Sequence, residues 1–267
     1  GIAEEDVLED ISGGCAATVA YLDGSDWGGA NTGVSVDENG VLSGSKFMVP
    51  DAAQATWIAV VGSDAAGDPV VALVAGSDVA VQAQASHALI DLTKRASTLD
   101  FAGVKAQRVL SGDKVDSAIR DYLLIGALLT AAEAVGSTSA CLAGIVDYLK
   151  TRKQFGKLIG SFQALKHPTV DIYVGMEHCR SLVYHASSEI DDGPLSTEAE
   201  VACRMAKAKA SDTIQYAGDR SVQFHGGFGF TWECDSSLFI RRAAWSQQQF
   251  GDAMHHRKRL APLLLDA

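Results

Sequence analysis

The feature that most constrains this chain is a helical pattern from Asp113 to about Phe155 that no proline interrupts. Leu124, Leu128, Ala131 and Val135, then Leu142, Ile145 and Leu149, recur at approximate helical spacing. At 1.5 Å per residue, a helix of ~40 residues is a rod of roughly 60 Å. A rod that long is buried only in a bundle or an oligomer core. Its most apolar part is bounded by Arg120 and Asp121 and then by Glu133, short of the ~18 residues a membrane helix needs, which predicts a soluble chain with no membrane span.

More helices follow. One is expected over Ser161 to Ile190, with Pro168 in its first turns and a stop at Asp191-Asp192-Gly193-Pro194. The next opens with Thr197-Glu198-Ala199-Glu200, a capping-box spacing, and ends at Gly226. Asp235 is placed to cap a fourth, and a short last helix follows Gly251-Asp252. Before residue 110 the pattern is different, with short runs rich in β-branched residues between turn clusters. Residues 15–22 read as a first strand, and Gly33–Val36 and Val41–Val49 flank Asp37-Glu38-Asn39-Gly40, a hairpin signal. Thr56–Gly62 and Pro69–Ala75 pair around Gly67-Asp68, with further strands expected at Val79–Ala83, Ser97–Phe101 and Lys105–Leu110. The fold class expected is α+β multidomain: an antiparallel β-barrel or sandwich over 15–111, then an up-down four-helix bundle over 112–267.

Composition narrows the function. A hydrophobic fraction of 47% over 267 residues is that of a globular protein with a substantial core. The net charge of -11 argues against nucleic acid or an anionic membrane as partner. Arg241, Arg242, His255, His256, Arg257, Lys258 and Arg259 gather near the C-terminus, and their default reading is a solvated helix face. Cys15, Cys141, Cys179, Cys203 and Cys234 are an odd number with no CxxC, so reduced thiols in a cytoplasmic setting are expected, without disulfide or zinc. His178 and His185 share a helix but lack the Glu-x-x-His of a bundle metal site. Neither GxSxG nor a Walker loop occurs.

Gln223-Phe224-His225-Gly226-Gly227-Phe228-Gly229 interrupts this helix-rich half with three glycines. Two readings stand. The stretch is a helix C-cap, or its backbone cradles a phosphate or ring beside an aromatic wall of Phe224, Phe228 and Phe230. Upstream lie Arg152-Lys153-Gln154-Phe155-Gly156 and Phe162-Gln163-Ala164-Leu165.

The pattern RxxFGxxxxxFQAL, its spacing to QxxGGxGF and the Arg241 that follows resemble the acyl-CoA dehydrogenases, and the resemblance extends over essentially the whole chain. These flavoenzymes introduce a double bond between the α and β carbons of an acyl-CoA thioester. The resemblance implies a middle β domain, a C-terminal helical domain, FAD as cofactor and an acyl-CoA substrate. Residues 1–14 would be a remnant of, or linker from, the family's N-terminal helical domain. Arg152 would reach the pyrophosphate of a FAD shared with a neighbouring subunit. Phe155 would pack on the adenosine, Gln163 would hydrogen-bond the cofactor, and Gln223, Gly226 and Gly227 would bring backbone N–H groups to the ADP moiety.

The departures are equally specific. The family takes the α-proton with a Glu. Phe250 occupies one of the two family base positions and Gly126 the other, so no catalytic acid is expected in this chain. At the flavin-ring side, Leu22-Asp23-Gly24-Ser25-Asp26 and Lys46-Phe47-Met48-Val49-Pro50 lack the family's threonines and tryptophan. The resemblance therefore implies a non-catalytic subunit of an α2β2 heteromer, whose homologous partner supplies the Glu, as in actinobacterial steroid side-chain β-oxidation. Alternatives are a homotetramer with Asp252 or Glu233 as base, and a flavin-free structural subunit.

Overall fold

The computed structural model describes residues 5–79 and 87–265. The chain divides into two compact units, Gly1–Ile119 and Arg120–Ala267. The first holds helix α1 (Glu5–Ser12) and strands β1 (Ala17–Ala20), β2 (Ser35–Val36), β3 (Val41–Pro50), β4 (Trp57–Ser63), β5 (Pro69–Ala75), β6 (Ala96–Lys105) and β7 (Arg108–Leu110). The strands form one sheet in the order β6-β3-β2-β4-β5-β7, with β1 added alongside β4.

Both expected hairpins form, and an aspartate organises each turn. Asp37 Oδ1 accepts from the N–H groups of Asn39 and Val41, both at 2.8 Å. Asp64 Oδ1 accepts from Ala66 at 2.9 Å and Asp68 at 3.0 Å. The β4–β5 register then runs unbroken from Ser63↔Pro69 to Trp57↔Ala75. Alternation along these strands turns Ile58, Val60, Val70, Ala72 and Val74 into a core shared with Leu42, Leu99 and Phe101.

The sheet is mixed rather than wholly antiparallel. β1 runs parallel to β4 from Ala17↔Trp57 to Ala20↔Val60, and β2 meets β4 in parallel at Ser35↔Ser63. The long connections between these strands allow a return in the same direction, which a hairpin does not. The strand expected at Val79–Ala83 falls, beyond Val79, outside the described residues.

The second unit comprises α2 (Lys114–Thr151) from Arg120 onward, the hairpin β8 (Lys153–Gln154) and β9 (Lys157–Leu158), α3 (Gln163–Ser188), α4 (Thr197–His225), α5 (Ser236–Ser246) and α6 (Ala253–Leu265). Three long helices and two short ones form where the sequence places them, and together they make up the helical domain expected. α4 packs against α3, α5 and α6. Its Ala199, Ala202, Cys203, Ala206 and Ala210 are buried with Leu124, Leu128, Ala131 and Cys179. Small side chains let the helix backbones approach closely while the leucines fill the remaining space.

Three sequence expectations change here. Ser196, not Thr197, caps α4, its Oγ accepting from Ala199 N at 3.1 Å. Asp235 already has helical dihedrals and its side chain makes no capping bond. Helix α2, at 38 residues, is long and apolar enough to cross a membrane by length and composition. Leu124, Leu128, Ala131 and Ala134 are instead buried in the helical core.

Candidate functional site

An open groove of about 400 Å³ lies in the helical unit, lined by the end of α2, the β8–β9 hairpin, the start of α3 and the end of α4. Four of the six residues singled out from sequence line it: Arg152, Phe155, Gly226 and Gly227. Gln163, at the first position of α3, and Gln223, in the last turn of α4, are exposed and do not. Of the expected aromatic wall, Phe224 and Phe228 take part, whereas Phe230 lies outside the lining and is exposed. Tyr148, Gln154, Phe162 and His225 were missed. Tyr148 could have been found, because it precedes Arg152 by one helical turn.

Phe155 and Gly156 are the two central residues of the β8–β9 turn, with φ of 54° and 78°. Positive φ at both positions is the type I′ arrangement, which favours Asn-Gly. A phenylalanine there is strained by about 1 kcal/mol. Its ring is 90% exposed and touches Phe162 edge-on at 6.1 Å between centroids. Neither strain nor exposure helps the fold, so the position reads as functional. Arg152 follows the last residue of α2, its N–H bonded to Tyr148 O at 2.9 Å. Among the described residues its guanidinium has no ion pair.

Gly226 ends α4 with φ 63° and ψ −142°, backbone that glycine alone adopts readily, and its N–H donates to Gln223 O. That donor is therefore committed to the helix end, not turned outward as the sequence implied. A Cβ at Gly226 or Gly227 would meet nothing within 4 Å, so the backbone borders open space. The stretch is at once a helix cap and a groove wall.

Gly126 and Phe250, the two positions at which the sequence resemblance leads one to expect a base, come together. A Cβ built on Gly126 would stand 2.3 Å from Phe250 Cε1 and 2.5 Å from Cζ. The Phe250 ring therefore occupies the room that a side chain at Gly126 would need, and its centroid lies 5.6 Å from that of Tyr122, edge-to-face. No carboxylate stands at either position. Lys207, 1% exposed, fixes the segment leading to this ring by donating to Gly251 O (2.9 Å), Gln247 O (3.2 Å) and Ser211 Oγ (2.9 Å). Burial pushes this ammonium down to about 8, against the opposing pull of Asp252. His256 is also buried, and desolvation, with Lys207 and His255 adding to it, pushes it down to about 3.

Neither relocated base is well disposed. Asp252 Oδ1 accepts from His255 N at 2.7 Å and so caps α6. Glu233 is exposed, and hydrogen bonds from its own backbone and Thr231 hold its carboxyl below the usual range, the wrong direction for a general base. Burial pushes the Cys141 and Cys203 thiols up to about 11, which removes them as nucleophiles. Among the described residues no group of three metal-ligating side chains occurs.

In the β unit, the stretch expected beside a flavin ring is closed on itself. Lys46 is fully buried, pairs with Asp23 and donates to the carbonyls of Tyr21 and Asn31. Met48 lies at an irregularity of β3 with φ 52°, and Pro50 ends the strand. Neither side chain offers a hydrogen-bond donor.

Residues 117–262 match the acyl-CoA dehydrogenase C-terminal domain. The chain belongs to the acyl-CoA dehydrogenase family, whose cofactor is FAD. It is 39% identical over 134 residues to the acyl-CoA dehydrogenase IpdE2 of Mycolicibacterium smegmatis, a stretch covering 50% of this chain and 40% of that protein. Among solved structures, the Tcur3481-Tcur3483 steroid ACAD is similar at TM-score 0.83 and 26% identity, over 98% of this chain and 70% of that one. The ChsE4-ChsE5 complex from Mycobacterium tuberculosis shares the fold at TM-score 0.82 and 23% identity, over 97% of this chain and 69% of that one.

Proposed function

We propose that the chain is a subunit of an FAD-dependent acyl-CoA dehydrogenase, in which it contributes the ADP-binding half of a cofactor site. A homologous partner in an α2β2 assembly contributes the catalytic Glu. The observation that carries this reading is the Phe250 ring seated in the notch at Gly126, which leaves no acid at either base position while the groove stays open. The groove suits the ADP end of FAD. Arg152 supplies a planar cation for phosphate oxygens, Phe155 a ring for the adenine face, and Gly226 and Gly227 a backbone that a ligand can approach closely. Gln163 and Gln223, exposed outside the groove lining, would serve the cofactor only beyond the groove itself.

When bound, FAD supplies hydride acceptance. This chain's residues bind and orient the nucleotide end, and the α-proton goes to the partner's carboxylate. An acyl-CoA derived from a steroid side chain is the substrate class we propose, and the likeness to a steroid ACAD supports the steroid part of it.

The test is to purify the chain alone and co-expressed with a homologous subunit bearing the Glu. Little flavin and no turnover are expected alone, and both are expected in the complex. Acyl-CoA oxidation by the isolated chain at the rate of the complex would overturn the reading in favour of a homomer. A complex that turns over but keeps its flavin when Arg152 is replaced by Ala would leave this chain only a structural role.

A further inference from the structure

One side chain in the groove has its chemistry fixed by its neighbours and is not accounted for by the family motif. His225 Nδ1 lies 2.8 Å from Ser221 O and 3.0 Å from Ser236 Oγ. A carbonyl only accepts, so Nδ1 carries the proton. Ser236 Oγ stands 2.8 Å from Ser221 Oγ, which gives the serine hydroxyl a partner of its own. The carbonyl thus selects one tautomer, in which Nε2 of the neutral ring carries a lone pair. The imidazole lies over the Tyr148 ring, with centroids 4.2 Å apart and planes tilted by 30°. With Nδ1 turned back toward α4 and one face covered by Tyr148, the Nε2 edge is what His225 brings to the groove it lines.

An acceptor held among aromatic rings recognises a flat ligand bearing a donor on its edge. From this, and resting on the half-site reading above, we infer that His225 Nε2 accepts a hydrogen bond from the exocyclic amino group of adenine. His225 is then the residue that distinguishes adenine from a base carrying a carbonyl at the same position. Hypoxanthine is the informative contrast, because its exocyclic oxygen would set lone pair against lone pair and leave both polar atoms unpaired.

The experiment measures binding of ADP and of inosine diphosphate to the full chain by calorimetry at pH 8. Wild type is expected to bind ADP on the order of tenfold more tightly than inosine diphosphate. His225→Phe keeps a ring against Tyr148 but removes the acceptor, and is expected to bring the two affinities together. Arg152→Ala is expected to weaken both nucleotides while leaving their ratio intact. Equal affinities in wild type, or an unchanged preference in His225→Phe, overturn the inference even where Arg152→Ala shows that the groove binds diphosphates. No nucleotide binding by wild type would overturn this inference, whereas the half-site reading is decided separately by the flavin content of the complex with Arg152→Ala.

Discussion

Replacing Gly126 by Ala tests whether the ring of Phe250 really depends on the missing side chain. In a helix interior Ala is favoured over Gly by about 1 kcal/mol, so on propensity alone the variant is stabilised. The new Cβ, however, would lie 2.3 to 2.6 Å from three ring carbons of Phe250. Moving a packed ring by more than an ångström costs about 1–3 kcal/mol. The net expectation is a loss of about 1 kcal/mol, or roughly 2–4 °C in Tm for a chain of this size. In a Phe250→Ala background the obstruction is gone, and Gly126→Ala should gain its full ~1 kcal/mol. The sign of one substitution thus depends on the other, with a coupling energy of about 2 kcal/mol. Urea titration of the four proteins measures it. If Gly126→Ala stabilises both backgrounds equally, the ring does not occupy the notch and the argument about the base position fails.

Other consequences follow from the same structure. Arg152→Ala should lower flavin content of the assembled enzyme at least tenfold, since a charge-assisted hydrogen bond is worth about 1.5–3 kcal/mol; absorbance of released flavin per protein measures this. Phe155→Asn should stabilise the chain by about 1 kcal/mol by suiting the type I′ turn, yet weaken ADP binding in calorimetry. Lys207 sets a pH dependence: its folded value of about 8 lies below the ordinary 10.5, so between these the unfolded chain holds the extra proton and stability rises with pH. Below that window both states are protonated and the penalty is constant. Lys207→Met should remove a rise of roughly 3 kcal/mol between pH 8 and 10.5 from the wild-type curve. His256 acts at the other end: stability should fall as pH drops from 6.5 toward 3, because the unfolded chain takes up the proton first, and His256→Gln should flatten that limb.

The sequence was most informative where structure is local. Helical spacing located α2, α3 and α4, and the Asn39-Gly40 and Gly67-Asp68 turns located both hairpins, because periodicity and turn chemistry act within a few residues. It was silent where distant segments meet. The parallel pairing of β1 with β4 depends on a long crossover that no local pattern announces. Among the site residues, Arg152, Phe155, Gly226 and Gly227 were legible as a motif, but that they share a groove with Tyr148 and His225 was not. The N–H of Gly226 also illustrates the limit, since glycine signals an unusual backbone without saying which way its donor points. In the sequence Phe250 and Gly126 stand as two separate positions without an acid. In space they are one place, a ring and the notch that receives it.

That distinction bears on whether the chain merely keeps an inherited fold. Phe155 holds strained backbone and presents a ring that is 90% exposed, a combination that costs folding energy without return. Phe250 also has positive φ, at 56°, but its ring is packed against Gly126 and Tyr122 and so offsets that strain. A chain required only to fold would relax Phe155. Here the strain that packing does not offset remains at the open groove, while the room beside Gly126 is filled with apolar contact. Strain kept without compensation marks a surface still in use, and a place filled by a packed ring marks one that is not. This asymmetry within a single helical unit favours a chain that holds part of a cofactor for another subunit's chemistry.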